Sequence, residues 1–205
     1  MFNPIQYISQ GDTPQEQLYH IKSVLDAGQK WIQFRFKHTL SSIRWSTAEQ
    51  VKQLCDSYQA TLIINDHVDL ARAIDADGVH LGLQDQSISG ARMILPNKII
   101  GGTANTLADV EEHILAGCTY IGLGPLRYTP TKQNLSPLLG IEGYQAILAA
   151  LTPEQKKTPI VAIGGITLED IPVLQHVGLS GVAISRLFHQ QQPQQLVQQL
   201  NTYFL

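Results

Sequence analysis

The side chains best able to do chemistry in this chain are cations, carboxylates and hydroxyls set at the ends of short apolar runs. One group is Gln33-Phe34-Arg35-Phe36-Lys37. Along an extended segment side chains alternate, so Gln33, Arg35 and Lys37 share one face, while Phe34 and Phe36 share the other. A guanidinium fork and an ammonium beside an amide suit a polyphosphate, although an internal ion-pair network would use the same residues. A second group is acidic: Asn65-Asp66 follows Ile63-Ile64, and Asp85 closes Gly82-Leu83-Gln84-Asp85. Two carboxylates brought together, with phosphate oxygens and water, would complete an octahedral Mg²⁺ site. Zinc or iron would more often recruit His or Cys, and His67 and His80 read as structural. Each Asp could instead cap a helix or turn.

Three further segments carry weaker signals. Gly101-Gly102-Thr103-Ala104-Asn105 offers close backbone approach and a hydroxyl, but Asn105 or Thr106 could simply cap a helix. Gly124-Pro125-Leu126-Arg127-Tyr128-Thr129-Pro130-Thr131-Lys132 holds hydroxyls and a lysine that could bind an anion; an ordinary polar loop explains them equally well. Gly164-Gly165, with Ser185 later in the chain, suits a phosphate monoester held by backbone N–H groups and a short helix N-terminus.

These groups need elements to position them. Strands are expected at 5–9, 31–37, 61–65, 78–81, 99–103, 120–123, 160–163 and 181–184, rich in the Ile, Val and Gly of strands buried on both faces. Helices are expected at 15–27 (Leu18, Ile21, Val24 and Leu25 inward), 107–116 (Leu107, Val110, Ile114 and Leu115 inward) and 167–177. The last would open on a Thr167 cap and bury Ile171, Val173, Leu174 and Val177. A final helix near Pro193 would bury Leu196, Val197 and Leu200. Eight such βα units predict one α/β domain over residues 1–205, a single (β/α)8 TIM barrel with its site at the C-terminal ends of the strands. There Asp66 and Asp85, on adjacent strands, would meet at one rim. The stretch from Gly124 to Gly140 is the longest without a helical pattern, as expected of a binding loop.

Composition narrows the function. With 43% apolar and 15% charged residues in 205, the chain can bury one sizeable core and is not disordered. The net charge of −3, without a long basic stripe, argues against nucleic acid. No apolar run approaches the ~20 residues of a membrane span, and Met1-Phe2-Asn3-Pro4 does not open a signal peptide. Cys55 and Cys118 lie outside any Cys-x-x-Cys pattern and read as reduced thiols of a cytoplasmic protein. A cationic rim, an acidic pair and a separate monophosphate cradle together suggest one diphosphate and one monophosphate substrate.

The ordered series resembles the thiamine phosphate synthase family over nearly the whole chain. It runs through Gln33-x-Arg35-x-Lys37, Asn65-Asp66, Asp77-Gly78-Val79-His80-Leu81-Gly82 with Asp85, Gly122-x-Gly124-Pro125 and Thr129-x-Thr131-Lys132, and ends in 162–166 and 181–185. The resemblance implies a transferase that joins a hydroxymethylpyrimidine diphosphate to a thiazole ethyl phosphate, or its carboxylated form, with release of pyrophosphate. It implies that Gln33, Phe34, Arg35, Phe36 and Lys37, with Asn65, Thr103 and Lys132, bind the pyrimidine diphosphate. Asp66 and Asp85 match Mg²⁺ ligands, and Thr129, Pro130, Thr131, Gly165, Ile184 and Ser185 match the thiazole-phosphate site. The resemblance also implies that Arg35, Lys37 and Lys132 are the catalytic cations. The chain departs from the family pattern at Phe36, where Glu is frequent, at Thr103, where Ser is common, and at Arg186, where a small residue is usual. A thiazole tautomerase of the same superfamily and a noncatalytic phosphate sensor are the rival readings. A homo-oligomer is compatible with the sequence; nucleic acid and membrane partners are not expected.

Overall fold

The structure is a computed structural model that describes residues 3–128 and 138–204. Strand and helix alternate in the order β1 (Ile5–Ile8), α1 (Pro14–Asp26), β2 (Trp31–Phe34), α2 (Ser41–Ser57), β3 (Thr61–Asn65), α3 (Val68–Ala73), β4 (Gly78–Leu81) and α4 (Ile88–Ile94). They continue with β5 (Ile99–Ala104), α5 (Leu107–Leu115), β6 (Tyr120–Leu123), α6 (Gly140–Ala150), β7 (Ile160–Ile163), α7 (Ile171–Val177), β8 (Gly181–Ile184), α8 (Leu187–Gln190) and α9 (Pro193–Phe204). The strands pair in parallel, each with the next, and β8 closes on β1. This is the expected (β/α)8 barrel.

Alternation along each strand divides the core in two. On β3, Leu62 and Ile64 point outward into a layer shared with Val51 and Cys55 of α2, while Ile63 points into the barrel beside Trp31, Tyr120 and Val161. Full burial of such an aliphatic side chain stabilises the fold by roughly 1.5–3 kcal/mol. The interior also carries polar groups that must be satisfied within it. Gln33 Nε2 donates to Gln6 Oε1 (2.9 Å), and Gln6 Nε2 donates to the Tyr120 hydroxyl (3.0 Å). Tyr120 lies 2.9 Å from His80 Nδ1, and His80 Nε2 lies 2.9 Å from Thr103 Oγ1. A Cβ at residue 101 would fall 2.3 Å from the Tyr120 ring and 2.6 Å from His80 Nδ1, so Gly101 makes room for this chain of bonds.

Three expectations need correction. The second strand ends at Phe34, not Lys37, so Arg35 and Lys37 belong to the loop. Leu115, expected inward, is 91% exposed: it is the last residue of α5, and the chain turns away through Ala116 and the left-handed Gly117. Val173 is also exposed: α7 starts only after the 3-10 turn Leu168–Asp170, and within it Val173 stands about 200° around the axis from the buried Ile171 and about 100° from the buried Leu174. The final helix does bury Leu196, Val197 and Leu200.

Candidate active site

The β2–α2 loop reaches its position through backbone contacts. Arg35 N–H donates to Ser9 Oγ (2.9 Å), and Gln17 Nε2 donates to the Arg35 carbonyl (3.2 Å). Arg44, near the start of α2, donates to the carbonyls of Phe36 (2.8 Å), Lys37 (2.9 Å) and Thr39 (3.2 Å). Phe34 and Phe36 are buried in the layer between barrel and helices, with their rings 6.2 Å apart. Their side chains therefore anchor the segment from behind. Gln33 is buried in the interior network, below the exposed loop residue Lys37.

Lys37 crosses to the next strand and pairs with Asp66, Nζ to Oδ2 at 2.8 Å. Asp66 follows the last residue of β3, and its N–H bonds the His80 carbonyl (2.8 Å), which continues the ladder to β4. Asp85 is fixed by the Gly82 N–H, which donates to Oδ2 (2.7 Å). The two carboxyl groups lie close enough at this rim for each to shift the titration of the other. Burial raises the affinity of Asp66 for its proton, but Lys37 and then the Asp85 carboxyl outweigh it, and the carboxyl titrates below the usual Asp range. For Asp85, burial and then the Asp66 carboxylate hold it above that range. A like charge nearby disfavours ionisation of the second carboxyl, and a bound cation would relieve that repulsion. Burial likewise lowers the Arg35 guanidinium, with the Asp66 charge opposing it.

The pair fits a hard divalent ion: its donors are carboxylate oxygens, and Lys37 alone does not neutralise both. Among the described residues no group of three or more His, Cys, Asp or Glu gathers. An ion here would rest on this acidic pair, completed by substrate oxygens and water.

Asn65 and Thr103 are buried at the same end of the barrel. Thr106, not Asn105, caps α5, accepting from Asp109 N–H (3.2 Å), while the buried Asn105 bonds the Gly124 carbonyl. At β7, Gly164 and Gly165 have φ of 91° and 69°, the left-handed region open to glycine. A Cβ on either would also strike the loop after β6, at 2.6 Å from Pro125 Cβ and 2.9 Å from Arg127 Cβ. Ser185, just past the buried Ile184, donates its hydroxyl to the Ile8 carbonyl (2.6 Å), which leaves its N–H and oxygen lone pairs for other work. Thr129, Pro130, Thr131 and Lys132 lie outside the described residues. Sequence reasoning gave no site role to Gln6, Arg44, Tyr120 or Asp170. Gln6, a polar inward residue within an apolar strand, carried a readable signal; Tyr120 and Asp170 act through contacts distant in sequence, and Arg44 through loop carbonyls five to eight residues before it.

The family described as "Thiamine monophosphate synthase" matches residues 6–188. The chain is 51% identical to a thiamine-phosphate synthase of Flavobacterium psychrophilum over 98% of both chains. It is 49% identical to that of Flavobacterium johnsoniae over 98% of this chain and 96% of the other. Among solved structures, a thiamine phosphate pyrophosphorylase from Pyrococcus furiosus superposes with a TM-score of 0.83 at 26% identity, covering 98% of this chain and 96% of that one. A 3-hexulose-6-phosphate synthase shares the fold alone, with a TM-score of 0.76 at 15% identity over 99% and 100% of the two chains.

Proposed function

The chain belongs to the thiamine monophosphate synthase family of transferases, and from that premise we infer that it joins 4-amino-2-methyl-5-hydroxymethylpyrimidine diphosphate to 4-methyl-5-(2-phosphooxyethyl)thiazole, or its carboxylated form. The products are thiamine phosphate and pyrophosphate, together with carbon dioxide when the carboxylated form is the substrate. The observation that carries this reading is the convergence of Asp66, Asp85 and Lys37 at one rim beside Arg35. A diphosphate needs such mixed charge: cations for its oxygens and carboxylates for the metal it brings.

In the proposed reaction the C–O bond of the pyrimidine methylene breaks first, and its electron pair leaves with pyrophosphate. Electron release from the aminopyrimidine ring stabilises the cation left behind. The thiazole nitrogen then donates its lone pair to form the C–N bond. No protein nucleophile is needed. Arg35, Lys37 and Lys132 stabilise charge growing on the leaving group. Asp66 and Asp85 would hold Mg²⁺, which when bound neutralises charge on the diphosphate oxygens. Gln33, Asn65 and Thr103 would orient the pyrimidine. With the His80 proton on Nε2, that nitrogen donates to Thr103 Oγ1, leaving the Thr103 hydroxyl proton for the ligand. Gly165, Ile184 and Ser185, with Thr129–Thr131, would hold the thiazole monophosphate in line. Positioning of this kind supplies up to roughly 7–11 kcal/mol in favourable intramolecular reactions.

Retention of Asp66, Asp85, Arg35 and Lys132 favours a synthase over a tautomerase, which consumes no diphosphate. The described residues contain no helix long and apolar enough to cross a membrane. Cys55 and Cys118 are free thiols, which supports a cytoplasmic site of action. Pyrophosphate release from the two purified substrates tests the reading; binding of both without release contradicts it.

A further inference from the structure

Beyond β6 and β7 the chain stays paired. Leu126 N–H donates to the Ile163 carbonyl (3.0 Å) and Arg127 N–H to the Gly164 carbonyl (3.1 Å). The Arg127 side chain then folds over the same strand end. Its Nη1 donates to the Gly165 carbonyl (3.1 Å) and to Asp170 Oδ2 (2.5 Å), and its Nη2 donates to Asp170 Oδ1 (2.6 Å).

Asp170 is a firm anchor. It is buried, and its Oδ2 also accepts from the Thr167 N–H (2.8 Å) and hydroxyl (3.0 Å). Burial alone would favour its neutral form, but the guanidinium and the Thr167 bonds keep the carboxyl below its ordinary range. A bidentate pair fixes the plane of the fork as well as its position.

Because a peptide unit is planar and trans, the direction of a carbonyl sets the opposite direction for the N–H that follows it. The Gly164 carbonyl shares its plane with the N–H of Gly165, and the Gly165 carbonyl shares its plane with the N–H of Ile166. Arg127 holds both carbonyls, one through its backbone and one through its side chain. Left-handed glycines have wide conformational freedom, so these two N–H groups need such an external tie to stay aimed.

The geometry points to Arg127 as a positioning residue, anchored by Asp170, that aims the successive N–H groups of Gly165 and Ile166 at the monophosphate of the thiazole substrate. This rests on the reaction proposed above. Arg127 does not touch the reacting atoms; it sets the direction of the donors that hold the nucleophile.

The test uses the full chain with Arg127→Met, Asp170→Asn and the double variant. In steady-state assays Arg127→Met raises KM for the thiazole monophosphate about tenfold or more while KM for the pyrimidine diphosphate stays within about twofold. The double variant is no worse than Arg127→Met, because both changes open one latch. Calorimetry with inorganic phosphate shows the same weakening without turnover. Should Arg127→Met fail to fold, Arg127→Lys keeps the charge but not the fork and is read the same way. Unchanged phosphate binding, or an equal rise in both KM values, overturns the assignment. Absence of pyrophosphate release by the unaltered protein overturns the proposed reaction instead, and the phosphate measurement then decides the role of Arg127 separately.

Discussion

Asp66 and Asp85, carried beyond the ends of neighbouring strands β3 and β4, lie close enough for each carboxyl to shift the titration of the other, and Asp66 takes its place there with a backbone φ of 67°. A residue with a side chain rarely occupies that left-handed region, although Asp and Asn tolerate it best. The strain accompanies the geometry of the proposed site: the turn brings the carboxylate toward both Lys37 and Asp85.

Asp66→Ala is therefore expected to be less stable than Asp66→Asn by about 1–2 kcal/mol, the cost of a left-handed backbone for an ordinary residue. Both variants lose the carboxylate charge, so their difference in denaturant midpoint reports the backbone cost together with the hydrogen bonds the Asn amide keeps. Equal midpoints would show that the conformation costs nothing.

Tyr120→Phe removes the hydroxyl that serves Gln6 and His80 at once. Loss of a buried hydrogen-bonding group from such a network costs about 1–3 kcal/mol. Thermal unfolding should show this, together with a raised KM for the pyrimidine diphosphate, because His80 also contacts Thr103. Thr103→Ser keeps the oxygen and should retain most activity.

The eight strands were legible because a parallel barrel buries both faces of each strand and so demands unbroken Ile, Val and Gly runs such as Ile160–Ile163. Helices were less so. They touch the barrel along a narrow stripe: Leu115 is the last residue of its helix, and Val173 stands off the stripe of Ile171 and Leu174. The acidic pair was readable from its place after successive strands. Arg44 and the Arg127–Asp170 latch were not, because each binds loop backbone or a side chain from another βα unit, and no local spacing records that.

Lys132→Ala is expected to lower kcat by about 100-fold, the usual effect of removing one group that stabilises developing charge, with little change in KM for the thiazole phosphate. Selective loss of monophosphate binding would reassign Lys132 to the other substrate.

His189 links stability to pH. Burial, then the neighbouring His20 ring at 4.4 Å, lowers its pKa from 6.5 to about 4, while Tyr7 bonds its Nε2 and the Phe188 ring packs on Tyr7. Between those values the unfolded chain binds the extra proton, so stability is fully present above 6.5 and falls as pH drops towards about 4. The sign is set by the depressed folded pKa. His189→Gln should flatten that limb of the Tm–pH curve; an unchanged slope would assign it elsewhere.

Whether Asp66 and Asp85 act together on a divalent ion at a diphosphate site is decided by Mg²⁺ titration of the purified protein with both substrates, following pyrophosphate and thiamine phosphate. The unaltered chain should form the two products in equal amounts only with Mg²⁺. Asp66→Asn and Asp85→Asn should each lose at least about tenfold in Mg²⁺-dependent turnover while retaining native circular dichroism. Identical Mg²⁺ curves for all three proteins would show that the acidic pair holds no metal in the reaction.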